Sequence, residues 1–406
     1  MRKSLLVVLL LLCVLGTYAD QNPDNTGASF HRDYSLALGA PYDLSNSVIN
    51  SRSMGKALID TYYRGVGPQI SSPFVRNLFG ALWSFTVTWS ATTWPHEFGH
   101  YLRTKQVGGD FWIKSMGFPG PEGGRSFPED ATLEDELLFA IGGLEVNSLI
   151  ALGIQQDTYR YNGLYNDELY AAFFHRIIYP TYLWLTPMMD PSDPANWIDE
   201  DGKQISLGDV ASVARLILER QGKKVLLPDG TVNPELLTFY KNAQIWSLIW
   251  NLADINLYYQ VAALFKGELD GTRPPYLIGD STRGWSYGML ANASVLGAEL
   301  YFNNYLSWDG RHYWAYLKYG FPYTDYGIGL GFPDILQTKA LHADLELHAW
   351  HQEYYGTGVA VKATLDIPLS QSLSAIVQPM WKLDGYLLGT PIGQGFSGYI
   401  GLTYRP

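Results

Sequence analysis

The sequence predicts an α+β protein, with a mainly helical N-terminal domain followed by a C-terminal antiparallel β region that forms a sheet or a small barrel. Up to about residue 275, apolar residues recur at helical spacing between turn-rich segments. Beyond about Ser286 the period becomes two, most clearly at 341–349, where Leu and Ala alternate with His, Asp and Glu. We therefore expect residues 20–275 to form the helical domain and 276–406 the β domain.

Each helix and strand is predicted from its own periodicity and from the turn residues that flank it. Residues 20–35 are polar and are expected to form a loose segment. The segment 83–89 alternates like a strand, but we assign it to a longer apolar helix. The predicted helices span 55–65, 75–106, 133–156, 166–188, 206–221, 233–241 and 242–266. The predicted strands span 293–303, 311–320, 341–349, 357–367, 372–382 and 395–404.

The composition excludes two classes of protein. Of the 406 residues, 47% are hydrophobic, 15% are aromatic and only 17% are charged, against roughly 25% charged in an average soluble protein. A disordered chain has the opposite balance, with high charge and few aromatic residues. The formal net charge of -11 argues against a nucleic-acid partner, because surfaces that bind nucleic acids are basic.

The first 19 residues have the pattern of a secretory signal peptide. Arg2-Lys3 is followed by an apolar run over 5–15 and by a small residue, Ala19, at the expected cleavage site. Cleavage would remove Cys13, the only cysteine, and leave an exported protein without disulfides. We expect the periplasm or the outer membrane if the source is Gram-negative. A lipid anchor on Cys13 is the alternative, although Leu12 is large for such a signal.

Several segments also suggest membrane association. The run 137–153 contains one charge, and 168–189 is apolar apart from His175 and Arg176, whereas a membrane-spanning helix needs about 20 mostly apolar residues. Buried helices of a large core are the alternative. The alternating strands, which contain many Tyr and Trp residues, are similar to those of outer-membrane proteins; a β-sandwich or a helix-covered sheet is the alternative.

The most informative motif is an HExxH pattern formed by His96, Glu97 and His100. Residues i and i+4 of a helix lie on the same face, so the two imidazoles can bind one zinc ion. Glu97 lies beside them and can act as a general base on an attacking water. The alternative is a pair of histidines whose ring nitrogens are satisfied by ordinary hydrogen bonds.

The residues that follow extend this motif. Tyr101 and Leu102 come next, then the basic stretch 103–105, and then a short strand over 111–118 that ends in Gly-Phe. This arrangement resembles the beginning of the site-2 protease family of zinc metalloproteases. The resemblance covers about 23 residues and implies that His96 and His100 bind Zn²⁺ and that Glu97 is the general base.

A catalytic zinc site of this kind needs a third protein ligand. Glu145 is the first choice from the residues alone, because it is a lone carboxylate in an apolar helical run and a buried charge needs a partner. Gly142 and Gly143 would let this helix approach the zinc helix closely. A place at the exposed edge of an amphipathic helix is the alternative for Glu145. The resemblance implies instead an aspartate after an apolar helix, and Asp190 is its closest counterpart.

Two further polar residues are expected near the zinc ion. Asn147 can orient a ligand or bind the substrate backbone, and with Gly143 it matches a Gly-x-x-x-Asn motif of the site-2 family. His175 can support a metal ligand or stabilise an oxyanion. A buried histidine with an ordinary hydrogen-bond partner is the alternative for His175.

Together these observations predict an exported, membrane-associated zinc metallopeptidase that hydrolyses peptide bonds in a polypeptide substrate. Two alternatives remain open. One is an outer-membrane β-barrel-type protein with a structural zinc site. The other is a non-catalytic binding or assembly protein that uses its Tyr- and Trp-rich surface.

Overall fold

The computed structural model describes residues 30–39, 44–116, 121–185, 190–197, 208–266 and 270–405. The predicted signal peptide, residues 1–19 with Cys13, lies outside the described residues. Within the described part, the predicted α+β fold class is confirmed, since helices dominate the first part and a large antiparallel sheet the second.

Seven α-helices are found in the described residues. They are α1 (Ser45–Asp60), α2 (Pro73–Gln106), α3 (Leu133–Arg160), α4 (Asn166–Leu185), α5 (Asp209–Arg220), α6 (Pro234–Leu252) and α7 (Ile255–Ala263). Local capping explains where several begin. The Ser72 side chain accepts a hydrogen bond from the Val75 amide at the start of α2. Thr132 and Asp135 form a capping box at the start of α3.

The predicted helices match these bounds, with two differences. The predicted helix 55–65 begins too late, because α1 already starts at Ser45 and ends at Asp60. The boundary between the predicted helices 233–241 and 242–266 is also displaced. The first helix, α6, continues to Leu252, and the second, α7, begins after Asp254. The Asp254 side chain accepts a hydrogen bond of 2.8 Å from the Asn256 amide and so caps α7. The alternating segment 83–89 lies inside α2, as predicted.

The strands form one ten-stranded antiparallel sheet and two small two-stranded sheets in the described chain. The bounds are β1 (Tyr34–Gly39), β2 (Asp110–Met116), β3 (Pro121–Ser126), β4 (Leu164–Tyr165), β5 (Gly271–Thr272), β6 (Ile278–Gly279), β7 (Arg283–Ser294), β8 (Gly297–Trp308), β9 (Arg311–Pro322), β10 (Asp325–Gln337), β11 (His342–Gln352), β12 (Gly356–Pro368), β13 (Leu373–Lys382) and β14 (Gly395–Tyr404). The large sheet has the order β1-β14-β13-β12-β11-β10-β9-β8-β7-β6, and β2 and β3 form a separate hairpin.

Four strands of the large sheet differ from the sequence-based prediction. Strand β1 begins inside the segment 20–35 that we expected to be loose, and it pairs with β14. Strands β6 and β7 were not predicted, and the predicted strand 293–303 spans the end of β7, the turn at 295–296 and the first part of β8. Strand β10 was not predicted, because Gly327, Gly329 and Gly331 give it the composition of a turn.

Helix α3 packs against one side of the large sheet, which we call the inner face. Leu149 and Leu152 of α3 contact a cluster that contains Tyr301 and Tyr316 of the sheet. The main hydrophobic cluster combines residues of helices α3, α4, α5 and α6 with apolar residues of β7 and β8. Residues on both sides of the predicted boundary at 275 therefore share one core.

Helix α3 is also the one helix in the described residues that is long and apolar enough to cross a membrane. Of its most apolar 18-residue window, 83% is buried in the protein. A central core helix has these same properties.

Candidate metal centre

Helix α2 places the two motif histidines one turn apart on a buried face. His96 and His100 are 5% and 4% exposed, and their Nε2 atoms lie 3.2 Å apart. The predicted helical spacing therefore brings the two imidazoles to a common point.

Asp209, the first residue of α5, completes a group of three ligand atoms. Its Oδ2 lies 2.9 Å from His96 Nε2 and 3.3 Å from His100 Nε2. Zinc bound tetrahedrally at 2.0–2.1 Å holds its ligand atoms about 3.3 Å apart. Two imidazole nitrogens and one carboxylate oxygen are also a ligand set used by catalytic zinc. The residues present therefore fit a zinc ion.

The other ring nitrogen of each histidine, Nδ1, forms a hydrogen bond on the side of the ring that faces away from Asp209. His96 Nδ1 donates to the side-chain carbonyl of Asn147 at 2.7 Å, and His100 Nδ1 donates to the backbone carbonyl of Phe139 at 2.7 Å. Because Nδ1 carries a proton in each ring, Nε2 is the nitrogen that can bind a metal once it is deprotonated. This arrangement fixes ring orientation and tautomer in metal-binding histidines.

The charges of the cluster depend strongly on one another. Burial alone would lower the pKa of His100, but the Asp209 carboxylate raises it to about 9. Burial alone would raise the pKa of Asp209, but His100 and His96 hold it well below its usual range. Without a metal, the site therefore holds a proton on His100 opposite an ionised Asp209 at neutral pH.

Three glycines let helices α2 and α3 cross at the site. A Cβ atom on Gly99 would lie 2.2 Å from the Gly142 carbonyl oxygen, and one on Gly143 would lie 2.6 Å from the His96 ring. No side chain fits at those distances. The close approach that Gly142 and Gly143 predicted is present, and it brings Asn147 to His96.

Glu97 points toward the β2–β3 hairpin and does not join the three ligand atoms. Its Oε2 lies 2.9 Å from the position that a Cβ atom on Gly123 would occupy. Glu97 is partly buried, and its charge contributes to the raised pKa of His100. The predicted base is therefore close enough to the histidines to interact with them while its carboxylate faces another element.

Glu145, the first choice for the third ligand, lies away from the histidine nitrogens. Its two oxygens accept hydrogen bonds of 2.7 Å each from Nε and Nη2 of Arg103. The Tyr386 hydroxyl and the Gly389 amide also donate to Oε1, at 2.9 and 3.1 Å. Both members of the ion pair are fully buried. Glu145 has the partner that its burial requires, and that partner is an arginine.

Asp190, the ligand implied by the family resemblance, is exposed and also lies outside the cluster. Its Oδ1 accepts a hydrogen bond of 3.1 Å from the Ser192 amide in a turn after α4. This contact closes a local Asx turn, which is a common role of aspartate in loops. The structure thus places Asp209 where the sequence suggested Glu145 or Asp190.

His175 contacts Asn147 on the side of Asn147 that faces away from His96. The Asn147 amide nitrogen donates to His175 Nδ1 at 2.8 Å and to the Thr92 carbonyl at 3.0 Å. The chain of contacts from His175 through Asn147 to His96 links α4, α3 and α2.

Two residues near the cluster were missed by the sequence-based prediction. Asp209 gave no distinctive signal, because an acidic residue in the first turn of an amphipathic helix is common. Tyr182 of α4 stacks on the His96 ring with ring centroids 5.7 Å apart, and its hydroxyl lies 3.4 Å from His96 Nε2. Tyrosine is frequent in this chain, so nothing in the sequence distinguished this one.

Comparisons of the chain with models of known protein families, with curated protein sequences and with solved structures found no match.

Proposed function

We propose that this chain is an exported, membrane-associated zinc metallopeptidase that hydrolyses peptide bonds in polypeptides. The observation that carries the proposal is the convergence of His96 Nε2, His100 Nε2 and Asp209 Oδ2, with Glu97 adjacent in sequence to the first histidine. Three protein ligands leave one position open, which distinguishes catalytic zinc sites from closed structural ones.

His96, His100 and Asp209 would hold the ion. Zinc supplies a Lewis acid that acidifies water and polarises a carbonyl. Asn147 and the Phe139 carbonyl keep the two imidazoles in the tautomer that ligation requires. Asp209 neutralises part of the positive charge and stands at the N-terminus of α5, where the helix dipole favours a carboxylate.

Glu97 would act as the general base and then as the general acid. As a partly buried carboxylate next to the ligands, it accepts a proton from the attacking water and later gives it to the leaving amine. The position of Glu97 beside Gly123 means that the β2–β3 hairpin forms the neighbouring wall of the site.

The same hairpin offers a place for an extended peptide. It consists of two strands in the described residues, so each has an edge without a paired strand. Trp112 and Ile113 of β2 are 48% and 43% exposed. An extended substrate can add to such an edge through main-chain hydrogen bonds, which supports a polypeptide rather than a small molecule as the substrate.

Exchange of Glu97 for Gln tests the proposed chemistry. Glu97→Gln removes the proton acceptor but keeps the size of the side chain, so it should retain zinc and fold while peptide hydrolysis falls by at least about a hundredfold. The matched control is Glu129→Gln, on an exposed loop residue. Cleavage of a casein substrate and zinc content would be measured for both variants and the wild type.

Undiminished hydrolysis by Glu97→Gln would refute the role of Glu97. A wild-type protein that holds zinc but cleaves nothing would favour the structural-zinc alternative, and a wild-type protein without zinc would favour the binding or assembly alternative.

A further inference from the structure

We propose that the outer face of the ten-stranded sheet lies against the hydrocarbon chains of a lipid bilayer. The outer face is the side of strands β8–β14 and β1 that points away from helix α3, apart from the region of Leu300 and Phe321, where Phe239 of α6 packs. This inference rests on the membrane association in the proposed function and specifies its surface; it does not depend on peptide hydrolysis.

The strands turn apolar side chains outward and polar side chains inward. On β9, Leu317 and Tyr319 are 55% and 59% exposed, whereas Lys318 between them is buried. On β10, the exposed Ile328 and Tyr326 lie opposite Leu317 and Tyr319 in the sheet. A soluble antiparallel sheet that is covered on one face has the reverse pattern, with its polar side toward water. Apolar-out and polar-in alternation is typical of strands that face lipid.

The apolar surface is continuous, because the outward residues pair across neighbouring strands. One register row crosses six strands, from β9 to β14, and consists of Ala315, Leu330, Leu347, Val361, Trp381 and Phe396. A second row, from β12 to β1, consists of Leu365, Val377, Ile400 and Leu38. Soluble monomers rarely expose a contiguous apolar patch beyond a few hundred Å². A face of this breadth requires a large apolar partner.

The acidic and lysine side chains of β11–β14 point to the inner face. They are Asp344, Glu346, Lys362, Asp366 and Lys382. Four of them line cavities between the sheet and helices α1 and α3. The outer face of these strands therefore carries no Asp, Glu or Lys. A charged protein partner would need such residues to pair with, whereas charged side chains are excluded from hydrocarbon.

The strand lengths and the aromatic residues fit a bilayer. Strands β8–β14 contain 10 to 13 residues each, and about 9–11 residues of a tilted strand cross the hydrocarbon core. Exposed Trp308 and Tyr404 mark the rim where β8 and β14 end. Exposed Tyr326 and Phe396 mark the opposite rim, where β10 and β14 begin. Two aromatic rims flanking an aliphatic band are typical of membrane-facing sheets.

Helix side chains bond some of the main-chain groups at each side of the sheet. At β1, the Asn50 side chain accepts from the Ala37 amide at 2.7 Å and donates to its carbonyl at 3.0 Å. At β7, the Asn256 amide donates to the Tyr287 carbonyl at 2.8 Å, and Arg176 donates to the Met289 carbonyl. Because unpaired main-chain groups are costly in hydrocarbon, these contacts reduce the cost of placing the sheet edges near lipid.

Spin labels at single cysteines would test the proposal on the full chain. Cys13 is replaced by Ser, and nitroxides are attached at Leu330→Cys, at Leu347→Cys and at the control Gln371→Cys in the exposed β12–β13 turn. The protein is reconstituted in phosphatidylcholine and phosphatidylglycerol vesicles. Collision with a water-soluble nickel complex should be about tenfold lower at sites 330 and 347 than at 371, and collision with oxygen should be higher, because polar solutes are excluded from hydrocarbon.

Access of the nickel complex to sites 330 and 347 would overturn the proposal, and so would failure of the protein to float with vesicles. Protection from both nickel and oxygen would also overturn it and would indicate a protein partner; spin-spin broadening would then identify a second copy of the chain. Casein cleavage by the same labelled variants is measured in parallel. Hydrolysis with water-accessible labels would refute the lipid surface alone, and lipid-exposed labels without hydrolysis would refute the peptidase alone.

Discussion

At the scale of single residues, the raised pKa of His100 means that a proton competes with a cation for the site. A ligating histidine must be neutral, so zinc has to displace this proton when it binds. The Asp209 carboxylate raises the pKa of His100 to about 9 even though burial opposes the charge. The carboxylate that would bind the metal thus also stabilises the competing proton.

Zinc affinity should therefore depend on pH in a defined direction. Below pH 9 His100 is protonated in the metal-free protein, and release of one proton per zinc should raise the association constant about tenfold for each unit of pH from 7 to 9. Competition with a chromophoric chelator between pH 7 and 9 measures it. Asp209→Asn removes the main charge that raises this pKa, but it also removes a ligand, so this variant is titrated without metal by histidine NMR, where the pKa of His100 should fall. A wild-type affinity that is independent of pH would contradict the coupling of His100 to Asp209.

The two histidine ligands were predictable from the sequence, but the third ligand, the Asp209 carboxylate, was not. Burial of Glu145 in an apolar helix correctly indicated that it needs a partner, yet burial does not reveal whether the partner is a metal or an arginine. Arg103, one turn after His100 and also fully buried, supplies two hydrogen bonds to Glu145. Asp209 is more than 100 residues away in sequence and has an ordinary helix-start context, so only the tertiary fold brings it to the histidines.

At the scale of elements, the crossing of α2 and α3 sets the geometry of the site. The backbones approach so closely that Gly99 and Gly142 stand against each other's carbonyl groups. Gly143 lies against the His96 ring and leaves it in reach of Asn147. The crossing therefore positions one ligand and the residue that orients it.

Gly143→Ala should disturb the site more than a matched change in the same helix. The new Cβ would lie 2.6 Å from the His96 ring, so the ring or the helix must move; overpacking of this kind costs about 1–3 kcal/mol, and zinc content should fall. In the control Gly153→Ala, the nearest atom is Arg52 Nη1 at 3.4 Å, and alanine gains up to about 1 kcal/mol of helix propensity. Denaturant unfolding and zinc content measure both variants. Equal behaviour of the two would contradict a critical crossing at Gly143.

The elements themselves were largely predictable, because long apolar helices and alternating strands carry strong periodic signals. The helix that contains the motif and the helix that contains Glu145 were both expected within a few residues of their bounds. Strand β1 was missed, because its pairing with β14 joins residues more than 350 positions apart and leaves no local signal. Strand β10 was missed, because its inward positions are glycines.

At the scale of the whole molecule, the metal centre joins parts of the chain that are far apart in sequence. His96 and His100 belong to α2, whereas Asp209 belongs to α5, a helix of the main hydrophobic core. A bound ion would hold these two helices together. Its binding energy would therefore add to the stability of the entire fold.

Removal of the metal should accordingly lower thermal stability. A ligand at a hundred times its dissociation constant stabilises the native state by about 2.7 kcal/mol, so a strong chelator should lower the unfolding temperature of the wild type. Asp209→Ala should unfold at a lower temperature and should respond little to the chelator. Calorimetry on the purified protein measures both. A wild-type unfolding temperature that the chelator leaves unchanged would contradict a metal link between α2 and α5.

The direction of the sheet faces was not predictable from periodicity, although the alternation was. The pattern at 341–349 correctly indicated a strand with one polar side, but a period of two does not say which side meets the solvent. His348, on the polar side, hydrogen-bonds the Tyr316 hydroxyl at 2.9 Å and is turned inward. Helix α3 packs against the polar face and so turns the apolar face outward. This packing joins distant parts of the chain, so the sequence of one strand does not reveal it.

Zinc content is the measurement that tests the central claim most directly. The purified wild type should contain one zinc ion per chain, Asp209→Ala should lose most of it, and Asp190→Ala, which alters an exposed carboxylate, should retain it. Elemental analysis of the three folded proteins after dialysis gives the answer. A wild type without zinc, or an Asp209→Ala variant that keeps a full equivalent, would contradict a metal centre formed by His96, His100 and Asp209.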